Sequence, residues 1–337
     1  MDIKYLTRVL TNARFKKMFE KIDAIHEKTG KNKAYLFFDM LGCALKYGAG
    51  YNDYIIFEYY NMNAAERKTY LTRIKNKKLV MMLNDTNFSH ILDQKNLFDE
   101  KFAEFLGREV YDIAKIDFKK FEKFIEGKEY IIVKPYIGES GKGIEKLKIS
   151  DFANAEELWK YLNKPEKNFG VVEELIQQHP QAAALYPHSL NCLRIVTLVN
   201  NGEAHILYAV FKTGNNGHFV DNLESGGIAC HFDLDKGEII GQGHTSALVN
   251  FDVHPATGIP LVGYKLPFMD EVKALVKKAA MVMPECRYIG WDVCLTPNGP
   301  AIIEGNDYPA YDFPQLPDPD KPRIGLLPKI EQFGIKL

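Results

Sequence analysis

The sequence predicts an α+β protein in which a mainly helical N-terminal region, residues 1–110, precedes two lobes that mix helices and strands. Apolar residues recur at helical spacing in the N-terminal region, for example in YLFFDMLGCALKYG. Residues 111–185 alternate strand-like and helical runs, and residues 186–337 begin with strands separated by glycine- and asparagine-rich turns. A chain of 337 residues exceeds the usual single-domain size, so we expect enough core to build a cleft.

The overall composition argues against several functional classes. The 43 basic and 44 acidic residues give a formal net charge of -1, so no field of the whole chain attracts nucleic acid or an anionic membrane. The cysteines are odd in number and lack the spacing of a metal site or a redox pair. We interpret them as reduced core residues: Cys43, Cys192, Cys230, Cys286 and Cys294.

Membrane insertion is not expected. No run reaches the roughly 20 apolar residues that span a bilayer, and the N-terminus has no uninterrupted apolar segment of a signal peptide. The first helical run carries basic residues on its polar side, a pattern that a helix lying on a membrane shares. A solvated helix face explains the pattern more simply, so we expect a cytoplasmic protein with no nucleic-acid partner and no stable membrane insertion.

Two apolar arms near the C-terminus form a predicted hairpin, YIGWDVCLTPNGPAIIEGN. The Pro-Asn-Gly sequence suits a three-residue loop in which Gly299 supplies the left-handed conformation. In that register Thr296 faces Pro300. Counting back along both arms places Asp292 opposite Glu304.

The hairpin therefore gathers oxygen ligands on one face. Asp292 and Glu304 would have β-carbons about 5 Å apart, and Asn306 lies one strand period further along the same face. Two carboxylates at that distance repel each other unless a cation lies between them, and an Asp, Glu and Asn set is what Mg²⁺ prefers. Two edge charges that face solvent would give the same pattern, so the hairpin alone does not identify a metal site.

A glycine-rich turn follows the strand IIVKPY. The strand ends near Lys134, and glycines let backbone N–H groups approach an anion closely. The Walker A motif is absent, and a plain hairpin loop would explain the same residues. The turn residues singled out are Gly138, Ser140, Gly141 and Gly143.

A further strand, in VVEELIQQHP, ends with two acidic residues and an apolar pair. Such a segment can offer backbone groups to an adenine edge and a carboxylate to a ribose. An edge strand that runs into a loop explains it equally well.

The order of these features along the chain resembles the ATP-grasp superfamily. The segments LNCLRIVTL and VDNLESGGI, together with the helical N-terminal region, look like the sugar-transfer-associated ATP-grasp subgroup, over roughly residues 75–320. The resemblance implies an ATP-grasp fold, in which two α+β lobes grip ATP. The ordered features are Lys95, Lys134, the glycine turn, VVEEL, Arg194, Lys212, Asp292, Glu304 and Asn306.

The resemblance also implies roles for the residues around ATP. Lys95 and Lys134 would contact the phosphates, and the loop 138–143 would close over them. The adenine site would be lined by Glu174, Leu175 and Ile176. Mg²⁺ would be held by Asp292, Glu304 and Asn306.

Two further groups are implied to act on the substrate. Arg194 and Lys212 would face the γ-phosphate or the oxyanion. The loop VDNLESGGI would contact substrate or phosphate, although a glycine turn capped by its own side chains explains the same sequence. The loop residues concerned are Asp221, Asn222, Ser225, Gly226 and Gly227.

The sequence departs from many ATP-grasp ligases at one position. Those enzymes carry an arginine two residues before the first metal aspartate, where this chain has Gly290. Arg194 is the candidate replacement, which leaves the identity of the oxyanion-stabilising residue open. The helical N-terminal region also differs from the strand-rich first domain of the superfamily, so no acceptor-binding surface is carried over.

We therefore expect an ATP- and Mg²⁺-dependent ligase that joins a small-molecule carboxylate to an amine, or to a thiol, through an acyl phosphate. The subgroup name associates the substrate with cell-surface glycans and polysaccharide biosynthesis, and an amino acid is also compatible. A small-molecule or sugar kinase on the same fold is one alternative. A non-catalytic nucleotide-binding scaffold protein is another, and homo-oligomerisation is left open.

Overall fold

A computed structural model describes residues 15–138, 141–217, 221–247, 249–318 and 322–337. The chain divides into two compact units. The helical unit comprises the described residues up to 81 together with those from 310 to 337, and the two-sheet unit comprises those from 82 to 309. None of the helices in the described ranges is long and apolar enough to cross a bilayer.

Short helices packed around aromatic side chains form the helical unit. Tyr54, Phe57 and Tyr59 are fully buried, and they share one core cluster with aliphatic side chains such as Ile22 and Leu36. Asn32 caps one helix by accepting from two backbone N–H groups, and Gly48 ends the same helix at a φ of 68°. The helices are α1 (Phe15–Thr29), α2 (Lys33–Tyr47), α3 (Tyr51–Ile56), α4 (Ala64–Lys68), α5 (Arg73–Leu83) and α12 (Leu327–Glu331).

The C-terminal residues from 310 to 337 belong to the helical unit, whereas the sequence grouping places them with the second lobe. The buried side chain of Gln315 donates to Leu71 O and accepts from Leu71 N, both at 2.9 Å. Tyr311 donates its hydroxyl to Asp53 at 2.7 Å. Because buried polar groups require partners, these bonds determine where the tail packs.

The first sheet of the two-sheet unit has four antiparallel strands in the order β1-β4-β2-β3. Two amphipathic helices cover it with Phe121, Phe124 and Leu158. The predicted strands in IIVKPY and VVEELIQQHP are confirmed, and a helix lies within DFANAEELWKYLN between them. These elements are β1 (Val110–Asp112), α8 (Phe118–Ile125), β2 (Tyr130–Lys134), β3 (Glu145–Lys148), α9 (Ala155–Leu162) and β4 (Val171–Glu174).

The second sheet has seven antiparallel strands in the order β11-β10-β5-β6-β7-β8-β9. Trp291 lies in its core, edge-on to Phe102 at 5.3 Å between ring centroids, and donates to Thr197 at 2.8 Å. The strands are β5 (Cys192–Asn200), β6 (Glu203–Thr213), β7 (Ile228–Asp233), β8 (Glu238–His244), β9 (Asn250–Phe251), β10 (Tyr288–Thr296) and β11 (Gly299–Asn306). The helices of this unit outside the first sheet are α6 (Thr86–Asp93), α7 (Lys95–Lys101), α10 (Pro180–Leu185) and α11 (Met269–Ala280).

The β10–β11 hairpin confirms the predicted pairing of Asp292 with Glu304, although the loop and the register differ from the prediction. Thr296 pairs with Gly299 rather than with Pro300, so the predicted three-residue loop was wrong by one position. A register shift next to Asp292 then inserts one extra residue into β11 and restores the pairing of Asp292 with Glu304. The bulge compensates for the shorter loop.

Asn84 holds the open end of this hairpin. Its amide nitrogen donates to Tyr288 O and to Asp307 O, both at 2.8 Å, and its oxygen accepts from Tyr288 N at 2.9 Å. Tyr288 begins β10, and Asp307 directly follows β11. One buried side chain therefore fixes both strands that carry Asp292 and Glu304.

We expect Asn84→Ala to lower the free energy of unfolding by about 2–4 kcal/mol, because it removes three hydrogen bonds to backbone groups, two of them buried. Urea denaturation of the full chain measures the change. Asn87→Ala on the exposed side of α6 is the matched control and should cost less than about 1 kcal/mol. Equal losses for the two variants would contradict the role given to Asn84.

Candidate functional site

Three neighbouring strands bring two cations to one carboxylate. Arg194 on β5 pairs directly across the sheet with Asp292 on β10. Lys212 on β6 pairs with Cys192, so it lies diagonally from Arg194, one strand period away. Arg194 donates to both oxygens of Asp292, through Nη2 at 2.8 Å and through Nε. Lys212 Nζ lies 3.0 Å from Asp292 Oδ2.

The electrostatics of this cluster follow from its burial. Desolvation alone would raise the pKa of Asp292, but Arg194 and Lys212 lower it well below its usual range. Desolvation also opposes the charge of Lys212, while Asp221 and Asp292 raise its pKa above that of a free lysine. Lys212 is therefore a fixed cation at neutral pH and not a general base.

Asp221 joins the cluster from the loop between β6 and β7. Its Oδ1 lies 3.4 Å from Lys212 Nζ. Its Oδ2 is buried and has no hydrogen-bond partner among the residues that the structure describes. An orphaned buried oxygen of this kind requires an explanation, and a polar group of a ligand would supply one.

The loop that carries Asp221 is a tight turn. Gly226 has a φ of 87°, and a β-carbon at Gly227 would overlap the carbonyl oxygen of Asp221. The N–H groups of Ser225 and Gly227 both donate to Asn222 O at 3.0 Å. Of the five residues predicted in this loop, Asp221 contacts the cluster. The backbone hydrogen bonds of Asn222, Ser225 and Gly227 described above lie within the loop itself.

Glu304 and Asn306 lie beside the cluster on β11. Glu304 Oε1 is 3.9 Å from Arg194 Nη2, and its side chain is 46% exposed. Asn306 Nδ2 donates to Gly290 O at 3.2 Å.

The donor set suits Mg²⁺ in part. Carboxylate and amide oxygens are its preferred ligands, and Glu304 and Asn306 offer them. Asp292 Oδ2 accepts from both Arg194 and Lys212, whereas Oδ1 accepts from Arg194 alone. Oδ1 therefore keeps a lone pair that could ligate Mg²⁺ while both cations stay in place. Within the described ranges, no three His, Cys, Asp or Glu side chains are grouped so that they could hold a metal ion.

The stem of Arg194 lies over Gly290. A β-carbon at Gly290 would come within 3.3 Å of Arg194 Cδ. The space beside the strand position where many ATP-grasp ligases carry an arginine is therefore occupied by an arginine from the neighbouring strand. This placement supports the predicted substitution of Arg194 for that residue.

The predicted phosphate lysines lie in the same two-sheet unit. Lys95 begins α7, and its Nζ donates to Gly138 O at 3.0 Å. Burial lowers the pKa of Lys95, and the negative charge of Glu304 opposes that effect. The lysine and the carboxylate therefore interact electrostatically. Gly141 and Gly143 both have a φ of 76°, as a tight turn requires, and Ser140 lies outside the described residues.

Lys134 is held by Glu173, a residue that the sequence did not single out. Lys134 Nζ forms an ion pair with Glu173 Oε1. Arg108 donates to the other oxygen of Glu173 at 2.8 and 3.0 Å, and it also donates to Ile302 O on β11 at 3.0 Å. The trio Arg108–Glu173–Lys134 therefore joins the small sheet to the large one.

The sequence contained one signal for Glu173. In VVEEL the side chains alternate between the two faces of the strand, so the two glutamates cannot share a role. The prediction chose Glu174, whose Oε2 accepts from Glu109 N at 3.4 Å. Nothing in the sequence indicated Arg108, because its partner lies 65 residues away.

The chain leaves the small sheet after Glu174 and reaches the large one. Leu175 is 37% exposed. Ile176 packs on Cys192, Cys294 and Ala301 of the large sheet. The three residues predicted for the adenine site therefore lie on the segment that connects the small sheet to the large one.

A family model described as sugar-transfer-associated ATP-grasp matches residues 67–333. The chain therefore belongs to this family, which confirms the predicted family and the α+β ATP-grasp fold. No significant match was found among curated proteins.

Similar solved structures are distant in sequence. The ATP-grasp ligase PsnB complexed with a minimal precursor is 14% identical over 68% of this chain and 56% of its own, with a TM-score of 0.40. An L-amino acid ligase from Bacillus licheniformis is 13% identical over 70% of this chain and 46% of its own, with a TM-score of 0.39. A phosphoribosylglycinamide synthetase from Anaerococcus prevotii is 13% identical over 72% and 49%, with a TM-score of 0.40. The chain thus spans about half the length of these proteins.

We expect Glu173→Gln to lower the free energy of unfolding by about 3–5 kcal/mol, because it leaves Arg108 and Lys134 without their buried counter-charge. Chemical denaturation at neutral pH measures the loss. The matched control Glu109→Gln removes an exposed carboxylate 3.1 Å from Lys128 and should cost less than about 1 kcal/mol. Similar losses would show that the trio does not stabilise the unit.

The same trio predicts an acid dependence of stability. Burial opposes ionisation of Glu173, but Arg108 and Lys134 lower its pKa from 4.5 to about 2. A lowered carboxyl pKa contributes its full stability above the unfolded value, and that stability is lost as the pH falls towards the folded value. The difference in unfolding free energy between the wild type and Glu173→Gln should therefore shrink below about pH 4.5. A difference that stays constant down to pH 2.5 would be inconsistent with this pairing.

Proposed function

We propose that the protein is an ATP-dependent ligase that activates a small-molecule carboxylate as an acyl phosphate and transfers it to an amine or a thiol. The observation that carries the proposal is the buried cluster of Arg194 and Lys212 on Asp292, with Glu304 alongside. Fixed cations next to metal-type carboxylates suit the transfer of a phosphoryl group, which depends mostly on positioning and charge neutralisation.

The ATP-binding roles are assigned by position within the two-sheet unit. Lys95 and Lys134 would contact the phosphates, with the glycine turn at 138–143 covering them. The contact of Lys95 with Gly138 O and the ion pair of Lys134 with Glu173 support these roles, because both lysines are held in place beside the turn. Glu174, Leu175 and Ile176 would line the adenine site.

Asp292, Glu304 and Asn306 would hold Mg²⁺, which supplies neutralisation of phosphate charge when it is bound. The protein's own contribution is the pair of cations. Because Asp292 and Asp221 hold Lys212 protonated, Lys212 and Arg194 can stabilise negative charge on the transferred phosphoryl group without exchanging a proton.

The proposed reaction has two steps. An oxygen of the substrate carboxylate attacks the γ-phosphorus, the bond to the β-phosphate oxygen breaks, and ADP leaves. The nucleophile then attacks the acyl carbon, the carbon–oxygen bond to phosphate breaks, and phosphate leaves with the electron pair. The proton of the nucleophile passes to the departing phosphate. The unpartnered Oδ2 of Asp221 would accept a hydrogen bond from the nucleophile.

The proposed substrate is defined less narrowly than the proposed reaction, because two classes of carboxylate fit. A carboxylate on a cell-surface glycan precursor fits the association in the family's name, and an amino acid fits the same chemistry. Fold and family do not determine the substrate, so the identity of the carboxylate and of the nucleophile must come from assay.

Screening carboxylate pools for Mg²⁺-dependent ADP release tests the proposal. With a hit, added hydroxylamine should trap the acyl phosphate as a hydroxamate. Formation of a stable phosphorylated product without any hydroxamate or amide would replace the ligase with a kinase. ATP binding with background turnover across all pools would support a non-catalytic scaffold.

Substitutions in the cluster should separate the roles. Glu304→Gln should reduce ADP release to background, and Arg194→Lys, which keeps the charge but loses the two-point contact with Asp292, should lower kcat about 100-fold. Glu285→Gln, at an exposed position, is the matched control and should leave the rate unchanged. Full activity of Glu304→Gln would refute the assignment of this site.

A further inference from the structure

The near-neutral charge of the whole chain conceals two oppositely charged parts. Residues 1–81 carry 16 Lys and Arg against 8 Asp and Glu, whereas residues 82–309 carry 23 against 32. The first part is therefore strongly basic and the second strongly acidic. The sequence-wide total of -1 excludes a field of the whole molecule but not a field of the helical unit.

The helical unit also exposes aromatic side chains. Phe19 on α1 is 50% exposed, and Tyr35 and Phe38 on α2 are 52% and 69% exposed. Phe37 connects Phe19 and Phe38, since its ring stacks on Phe19 at 5.7 Å and meets Phe38 edge-on at 5.4 Å. Tyr35 lies three residues before Phe38, on the same face of α2. We call Phe19, Tyr35, Phe37 and Phe38 the aromatic patch.

A second exposed face combines apolar and basic side chains. Ile74 and Met81 on α5 are 50% and 69% exposed. Lys77 and Lys78 lie between them and are also exposed. Positions 74, 77, 78 and 81 share one face of a helix, so this face has an apolar side chain at each end and two lysines between them.

We propose that the helical unit docks the protein on an anionic membrane surface, with the aromatic patch and the exposed α5 face in the lipid headgroup region. Exposed apolar groups gain by entering the interface, and lysines gain from the negative surface potential. Lysine stems can lie along the apolar boundary while their ammonium groups stay among the headgroups. The protein lies on the bilayer rather than across it.

The side-chain chemistry favours lipid over nucleic acid. Twelve of the 16 basic residues in the first 81 are lysines, whereas planar, bidentate phosphate and base recognition favours arginine. Ile74 and Met81 cannot stack on bases, and they would gain nothing from a phosphate backbone. The proposal does not depend on the ligase chemistry, because its residues lie outside the ATP-grasp site.

Vesicle flotation of the full-length protein tests the docking. Binding is expected to phosphatidylcholine vesicles that contain about one-third phosphatidylglycerol, and it should weaken as salt rises and be much weaker on pure phosphatidylcholine. Each lysine near the surface contributes about a fivefold gain in partitioning. Lys77→Glu with Lys78→Glu should therefore reduce partitioning by more than about tenfold.

Apolar variants give the second arm. Phe19→Ser with Phe38→Ser should weaken binding about tenfold with only a small decrease in the thermal unfolding midpoint, since both side chains are at least half exposed and each loses one ring contact. The controls lie on the acidic unit: Lys119→Glu with Lys120→Glu on exposed positions of α8, and Val262→Ser at a side chain that is 54% exposed. These should leave binding unchanged.

Three results would overturn the proposal. They are no binding to the anionic vesicles at low salt, equal losses in the variants and in the controls, and binding of duplex DNA or RNA that the phenylalanine variants leave intact while vesicle binding is absent. The last result would assign the basic surface to nucleic acid.

Discussion

The two-sheet unit depends on the buried carboxylate of Glu173. This side chain joins Lys134 of the small sheet to Arg108, which in turn donates to the backbone of β11. A charge buried alone is very costly, so the three residues must remain together. Through Glu173 and Arg108, Lys134, which would contact ATP, is thereby connected to β11 of the hairpin that would hold the metal.

The cluster around Asp292 also consists of buried charges that pair with each other, but its pairing is incomplete. Here two cations meet one carboxylate, and Asp221 adds a second carboxylate, one oxygen of which has no hydrogen-bond partner in the described part of the chain. In the trio both oxygens of Glu173 have cationic partners, whereas the cluster at Asp292 retains a carboxylate oxygen that a ligand can use. The unequal pairing, rather than the number of charges, marks the second group as the site of chemistry.

The sequence predicted the types of most elements because apolar spacing and turn residues act locally. It also placed Asp292 opposite Glu304, although the predicted loop was one residue too long and the bulge in β11 compensated. It did not predict the trio at Glu173, because choosing between two adjacent glutamates requires knowing which strand face is covered. The total charge likewise concealed a basic helical unit, since a sum over the chain carries no positions.

What the sequence determined by itself is the set of strands, helices and tight turns, and the order of charged residues that identifies the ATP-grasp family. What only the tertiary structure decided is which charges meet. Arg194 and Asp292 are 98 residues apart, and the stem of Arg194 lies over Gly290. Pairing across strands depends on sheet register and on burial, and neither is a local property of the chain.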